Sequence, residues 1–363
     1  MSKINQYVRL NSVFIKITVL ALFVYSCKAT DTLMVSSLEP SPVGLSKGIT
    51  RIGVINEAYS NADIQVPASL DELVNAQDLQ MQEEGKAAAI NGLFGELLKD
   101  KRFDTVLLLP TFPKSPSYNK ESRSEIPWDA LKKSCIEHKL DAVFSLAFYE
   151  TETKVSNRKS TMETLDLMRV KVSLPAREVT LETLIENGWR IYDPFNRKVL
   201  DEIRFNEQLI VSAKGEDPLK ALQSIVDRKD SLLVKSNGSG SAYGMRLKPS
   251  NRKLTRPYFV KGSDHLLKAA AAVTEKDWME AARLWQLDCA NEKAKVRAMA
   301  CHNMAVLHEL KGDLPKAIEW ATKANEHEAL KITKHYLEAL KHQISQHKLA
   351  LEQMENMALL EYE

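Results

Sequence analysis

Apolar and polar positions change period along this chain, and the changes divide it into stretches of different character. "RIGVIN" (51–56) reads as an apolar strand that runs into a polar loop. Residues 78–100 then carry Leu79, Ala87, Ile90, Leu93, Phe94, Leu97 and Leu98 at spacings that approximate one helical face. "RFDTVLLLP" (102–110) is a second apolar strand, stopped by Pro110. A helix over 128–140 follows, with Ile126-Pro127 suited to its entry, and "DAVFSLAFYE" (141–150) is a third apolar strand. Strand, helix, strand, helix, strand predicts a sheet with helices packed on it.

Past residue 150 the period shifts. "SNRKSTMETLDLMRV" (156–170) is polar and poorly specified. From Val179 to Ile191 the odd positions read Val, Leu, Thr, Ile, Asn, Trp, Ile, and period two means a strand with one buried face. "DPFNRK" (193–198) supplies turn residues, and Val199, Ile203, Phe205, Leu209 and Val211 mark the return strand of a long antiparallel hairpin. Residues 217–234 read as one helix with Pro218 in its first turn, and "NGSGSAYG" (237–244) as a flexible loop.

The last third is helical and rich in alanine. "KDWMEAARLW" (276–285) aligns with "GDLPKAIEWA" (312–321) at an offset of 36 residues, with Asp277 on Asp313 and Ala281 on Ala317. A final helix over about 328–360 places Leu330, Leu337, Leu340, Ile344, Leu351, Met354 and Ala358 near one face.

Composition narrows the function classes. The formal charge is +2; without the three basic residues of the first 26 it becomes +2 − 3 = −1, so no basic field argues for nucleic acid. The four cysteines, at 27, 135, 289 and 301, lack CxxC spacing, which argues against a disulfide framework or a zinc knuckle. A Cys289–Cys301 bridge suits an oxidising compartment, and two buried free thiols are the favoured reading. Few residues stand at spacings that carry chemistry. "GSGSAYG" follows a helix and so reads as a linker rather than a dinucleotide loop, and neither a nucleophile elbow nor a Walker motif occurs. His335, His342 and His347 read as solvated helix residues, and Cys135 with His138 lacks a third, orienting group. Trp189 and Tyr192 in "WRIYDP" either contact a sugar or peptide or, as favoured, brace the turn. No cofactor, metal or catalytic set is expected.

The N-terminus supplies an address. Lys3, Arg9 and Lys16 precede nine apolar or nearly apolar residues, Ile17–Tyr25, too few for the roughly 20 that cross a bilayer. "VYSC" (24–27) then resembles the bacterial lipobox. That resemblance implies a diacylglycerol thioether on Cys27 and cleavage after Ser26, with Tyr25 bulkier than the usual residue there. The second helical copy, 295–326, resembles a tetratricopeptide repeat. Ala317 is its small residue of helix B, and Met304, Ala305 and His308 fall on the helix A positions; 261–292 matches less fully. This implies a curved surface that holds a peptide or protein, with His302, Val306, Glu309 and Leu310 facing the groove, or repeats that only buttress the first domain. The α/β pattern is distantly similar to periplasmic domains of TolB and the curli-secretion lipoprotein. The chain as a whole, a lipobox followed by "RIGVIN" (51–56), "WRIYDP" (189–194), "GSAYGMRLKP" (240–249) and a repeat tail, resembles an uncharacterised lipoprotein family of Bacteroidota.

The expected architecture is α+β: a signal peptide (1–26), a lipidated tether (27–47), a mixed α/β sandwich-like domain (48–255) and an all-α tetratricopeptide-like domain (256–363). The expected protein is a non-enzymatic interaction or assembly factor on the outer membrane, facing the periplasm, with a membrane anchor and a protein or peptide partner. The competing class is an enzyme or small-ligand-binding protein with a cleft in the α/β domain.

Overall fold

The computed structural model describes residues 29–58, 70–110, 126–165 and 168–359. The chain is of the α+β class and divides into two compact units. One is built on Ser41–Pro249; the other combines strand β1 (Thr30–Glu39) with Ser250–Leu351.

The first unit holds a five-stranded mixed sheet in the order β3-β2-β4-β5-β6. The strands are β2 (Arg51–Asn56), β3 (Thr105–Leu108), β4 (Ala142–Leu165), β5 (Lys171–Asp193) and β6 (Lys198–Gly215). β2 runs parallel to both β3 and β4, while β4, β5 and β6 are antiparallel in turn. Helices cover both faces, as the alternation of apolar runs predicts. On one face α1 (Leu70–Leu98) and α4 (Arg228–Met245) bury Ala89, Leu93, Leu97, Leu232 and Tyr243 against Val54, Phe144, Trp189 and Ile191. On the other, α2 (Trp128–His138) packs Leu131 and Cys135 on Ile55, Val143 and Tyr192. Period two in β5 is real: Val179, Leu181, Ile185, Trp189 and Ile191 are all sealed from solvent.

Two sequence expectations fail here, and one unspecified segment takes its form, for nonlocal reasons. Residues 237–244 are not a flexible loop but the second half of α4. A Cβ on Gly240 would stand 1.9 Å from the Ala89 carbonyl oxygen, and one on Gly92 would stand 2.0 Å from that of Asn237. The glycines are there so that α1 and α4 can touch backbone to backbone. The single helix over 217–234 is two: α3 (Pro218–Gln223), capped by Asp217, and then α4. The polar segment 156–170 continues β4 to Leu165, because β5 supplies its backbone partners in register through Leu165↔Lys171.

The second unit pairs β1 antiparallel with β7 (Ser250–Phe259), from Thr30↔Phe259 to Glu39↔Ser250. The tether expected over 27–47 is therefore a strand for ten of its residues, and the domain boundary expected at 255 would cut β7. The signal was hidden because the partner lies some 220 residues away. Two helical hairpins follow, α5 (Asp264–Thr274) with α6 (Trp278–Asp288) and α7 (Ala294–Leu310) with α8 (Leu314–His327). They share one plan at the offset seen in the sequence. Lys276 and Gly312 turn the chain at φ 62° and 80°, Asp277 and Asp313 cap α6 and α8, and Ala281 and Ala317 are fully buried. The long α9 (Lys331–Leu359) closes the order of elements.

Candidate functional sites

The expected groove residues sit on α7, and the chain's own strand covers them. His302, Val306 and Glu309 are at most 1% exposed, and Leu310 is partly buried. Asn303 holds β7 as a groove would hold a peptide: its Nδ2 donates to the Phe259 carbonyl at 2.6 Å and its Oδ1 accepts from the Phe259 N–H at 2.7 Å. His302 Nε2 donates to the Pro257 carbonyl at 3.0 Å, and its ring lies between those of Phe259 and Tyr336. Burial pushes its pKa down to about 4. Arg256 reaches from β7 to Glu309 (2.9 and 3.0 Å) and to Gln343 (2.9 Å), while the Tyr336 hydroxyl donates to Glu309 at 2.7 Å. So His302, Val306, Glu309 and Leu310 do not line an open groove. The repeat pattern holds no sign of this, since β7 belongs to the boundary region rather than to a repeat.

A second cluster lies in the α/β unit and was missed. Glu57 stands one residue past the carboxyl end of β2, and its N–H donates to the Leu146 carbonyl of β4 at 3.0 Å. Its Oε2 accepts from Ser145 Oγ at 2.6 Å and from the Tyr192 hydroxyl at 2.8 Å, while Oε1 is buried without a hydrogen-bond partner among the described residues. Burial raises the Glu57 pKa against the pull of those two donors and of Arg190, which itself pairs with Glu202 at 2.9 Å. Burial also raises Tyr192, with the Glu57 charge adding to the effect. The signal available in the sequence was an acid set directly after an apolar parallel strand.

Other expected features resolve simply. Trp189 stacks on Tyr243 at 5.3 Å and Tyr192 meets Trp128 edge-on, so "WRIYDP" braces the core. Asp193 accepts from the N–H groups of Phe195 and Asn196 in the turn. His138 Nδ1 bonds the Ser134 carbonyl, and the Cys135 thiol is sealed from solvent, with burial lifting it to about 11. Among the described residues no cluster of three metal-ligating groups forms. No described helix is long and apolar enough to cross a membrane. Cys27 and the signal segment 1–26 lie outside the described residues.

The third feature is a ribbon. β5 pairs with β6 only as far as Arg177↔Gly215, whereas β4 and β5 continue together to Leu165↔Lys171. The overhang exposes Leu165, Met168, Val170, Val172 and Leu174.

A family model described as a domain of unknown function (DUF8603) matches residues 49–259, more than half of the chain. The chain belongs to that family. A second model, also described as a domain of unknown function (DUF6340), matches residues 267–342, within the helical unit. The DUF8603 region takes in the whole five-stranded sheet, the Glu57 cluster, the ribbon and β7. Solved structures with some likeness include the PelC dodecamer from Paraburkholderia phytofirmans, at 9% identity and TM-score 0.23, covering 60% of this chain and 97% of that one. Another is a neuraminyllactose-binding hemagglutinin homolog from Helicobacter pylori, at 12% identity and TM-score 0.24, covering 57% of this chain and 86% of that one. At such scores neither carries an argument. No curated protein matches.

Proposed function

We propose that this chain is a non-catalytic assembly protein, held to a bacterial envelope membrane by a lipid on Cys27, and that it self-associates through the β4–β5 ribbon. On this reading its tetratricopeptide-like unit is a support whose groove the chain fills itself. The ribbon is the observation that carries the proposal. Among the described residues no third strand flanks this overhang; a two-stranded ribbon alone is marginal in water, and its outer edges can pair with another strand. This one adds exposed aliphatic side chains, among them Met168 at 85% and Leu165 at 59% exposure. Charge favours the occupant. Within 160–176, Glu163 and Asp166 cancel Arg169 and Lys171, which suits a second copy and offers nothing to an anionic lipid surface.

The test is sedimentation of the full chain in detergent. The expected particle holds more than one chain once bound detergent is subtracted, and a Val172→Lys, Leu174→Lys double variant reduces it to one chain with an unchanged melting temperature. A wild type that sediments as a single chain at tens of micromolar overturns the self-association. A Cys27→Ser variant that keeps its acyl labelling overturns the anchor.

A second reading rests on Glu57, whose buried Oε1 lacks a partner among the described residues. A small ligand carrying a hydroxyl or amide donor would complete it. A thermal shift from a panel of sugars and amides, lost in Glu57→Ala, supports this reading; a panel without effect removes it.

A further inference from the structure

The helical unit contains a pair of sulfurs that neither reading above uses. Cys289 ends α6 and Cys301 lies two turns into α7, and their Sγ atoms are 3.1 Å apart. The segment between them is anchored. Asp288 accepts from Asn291 Nδ2 and also bonds Ser263 and His265, and Arg297 Nη1 donates to the carbonyls of Asn291 and Glu292 at 2.7 and 2.8 Å. A disulfide needs about 2.05 Å between sulfurs, so roughly 1 Å of closure separates this dithiol from a bond.

We propose that Cys289 and Cys301 form a redox-active dithiol that external disulfides oxidise to an intramolecular disulfide across α6 and α7. Exposure divides the roles: Cys289 is partly exposed and Cys301 is buried. The Cys289 thiolate attacks an external R–S–S–R, forming Cys289–S–S–R and releasing RS⁻. The Cys301 thiolate then attacks Cys289 Sγ and expels the second RS⁻. Two electrons pass to the external disulfide, and the two thiol protons end on the released RS⁻ groups. The surroundings favour the second step. The hydrogen bond shared with Cys289 lowers the Cys301 pKa against burial, and the Lys323 and Arg297 charges add to it. Cys289 itself is raised by its contact with Cys301, by burial and by Asp288, so the first step is the slow one.

The experiment treats the full chain in detergent with oxidised glutathione, quenches with acid, alkylates and digests with trypsin. The expected product links peptide 284–293 to peptide 298–311 and weighs two hydrogens less than their sum. Cys135 stays alkylatable only after denaturation. Cys301→Ser traps glutathione on Cys289, and Cys289→Ser leaves Cys301 unmodified at least tenfold longer than Cys289 survives in wild type. If both cysteines of the native wild type remain fully alkylatable, or both carry glutathione without the linked peptide, the dithiol assignment is wrong. Because the wild type gives the decisive reading, a variant that fails to fold does not blunt the test.

Discussion

Replacing Gly240 by Ala should destabilise the α/β unit, although alanine is the better helix former. In an exposed helix interior that substitution stabilises by about 1 kcal/mol. At Gly240 the added Cβ meets a backbone oxygen at 1.9 Å, with two more backbone atoms of α1 within 2.9 Å. A carbonyl oxygen in a helix cannot swing away as a side chain would. The helices must part by more than 1 Å over the layer that holds Leu93, Leu232 and Tyr243 in the core. Overpacking of this kind costs about 3 kcal/mol at the upper end of its usual range, leaving about 2 kcal/mol of net loss. For a unit of this size that is roughly 4–8 °C in Tm. Gly238 and Gly95 are internal controls. They lie in the same two helices with nothing within 4 Å of a Cβ, so Gly238→Ala and Gly95→Ala should raise Tm by roughly 2–4 °C. Circular dichroism melts of the four variants decide the matter. If Gly240→Ala and Gly92→Ala melt at or above wild type, the close approach of α1 and α4 is wrong.

Other outcomes follow from buried charge. Arg256→Ala strands Glu309, whose side chain is 0% exposed, and should cost about 3–5 kcal/mol in denaturant unfolding, with a Glu309→Gln second substitution recovering part of it. The His302 pKa of about 4 lies below the ordinary value near 6.5. The unfolded chain therefore takes up the proton first, and stability falls as pH drops from about 6.5 to 4. The full loss is about 3 kcal/mol, and His302→Gln should flatten that slope while the imidazole stays neutral by NMR down to about pH 4. Glu57 has the opposite sign. Its raised pKa favours the protonated folded form, so wild type loses stability relative to Glu57→Gln as pH rises above the ordinary glutamate value of about 4.3, and a pH-independent difference in Tm would show that the carboxyl is not desolvated.

Local periodicity was enough to name most elements. The parallel strands, the helix after each, the alternating face of β5 and the turn at Asp193 all follow from spacing over a few residues, and so does the repeat that places Asp277 and Asp313 as caps. What spacing could not reveal is which backbone lies beside which. "NGSGSAYG" has loop composition, yet it is a helix because Gly240 and Gly244 face α1. The polar residues 156–165 become strand because β5 offers them hydrogen bonds, and 30–39 become strand because of β7. The α7 face carries groove-like residues, but only the fold shows that Phe259 and Arg256 occupy it. Glu57 is an ordinary acid until Ser145 and Tyr192 close over it, and Cys289 and Cys301, twelve residues apart, come within contact only when α6 and α7 pack. Hydrogen-bond partners, burial and contact are properties of pairs distant in the chain, and a pattern read along one strand or helix carries no record of its neighbour.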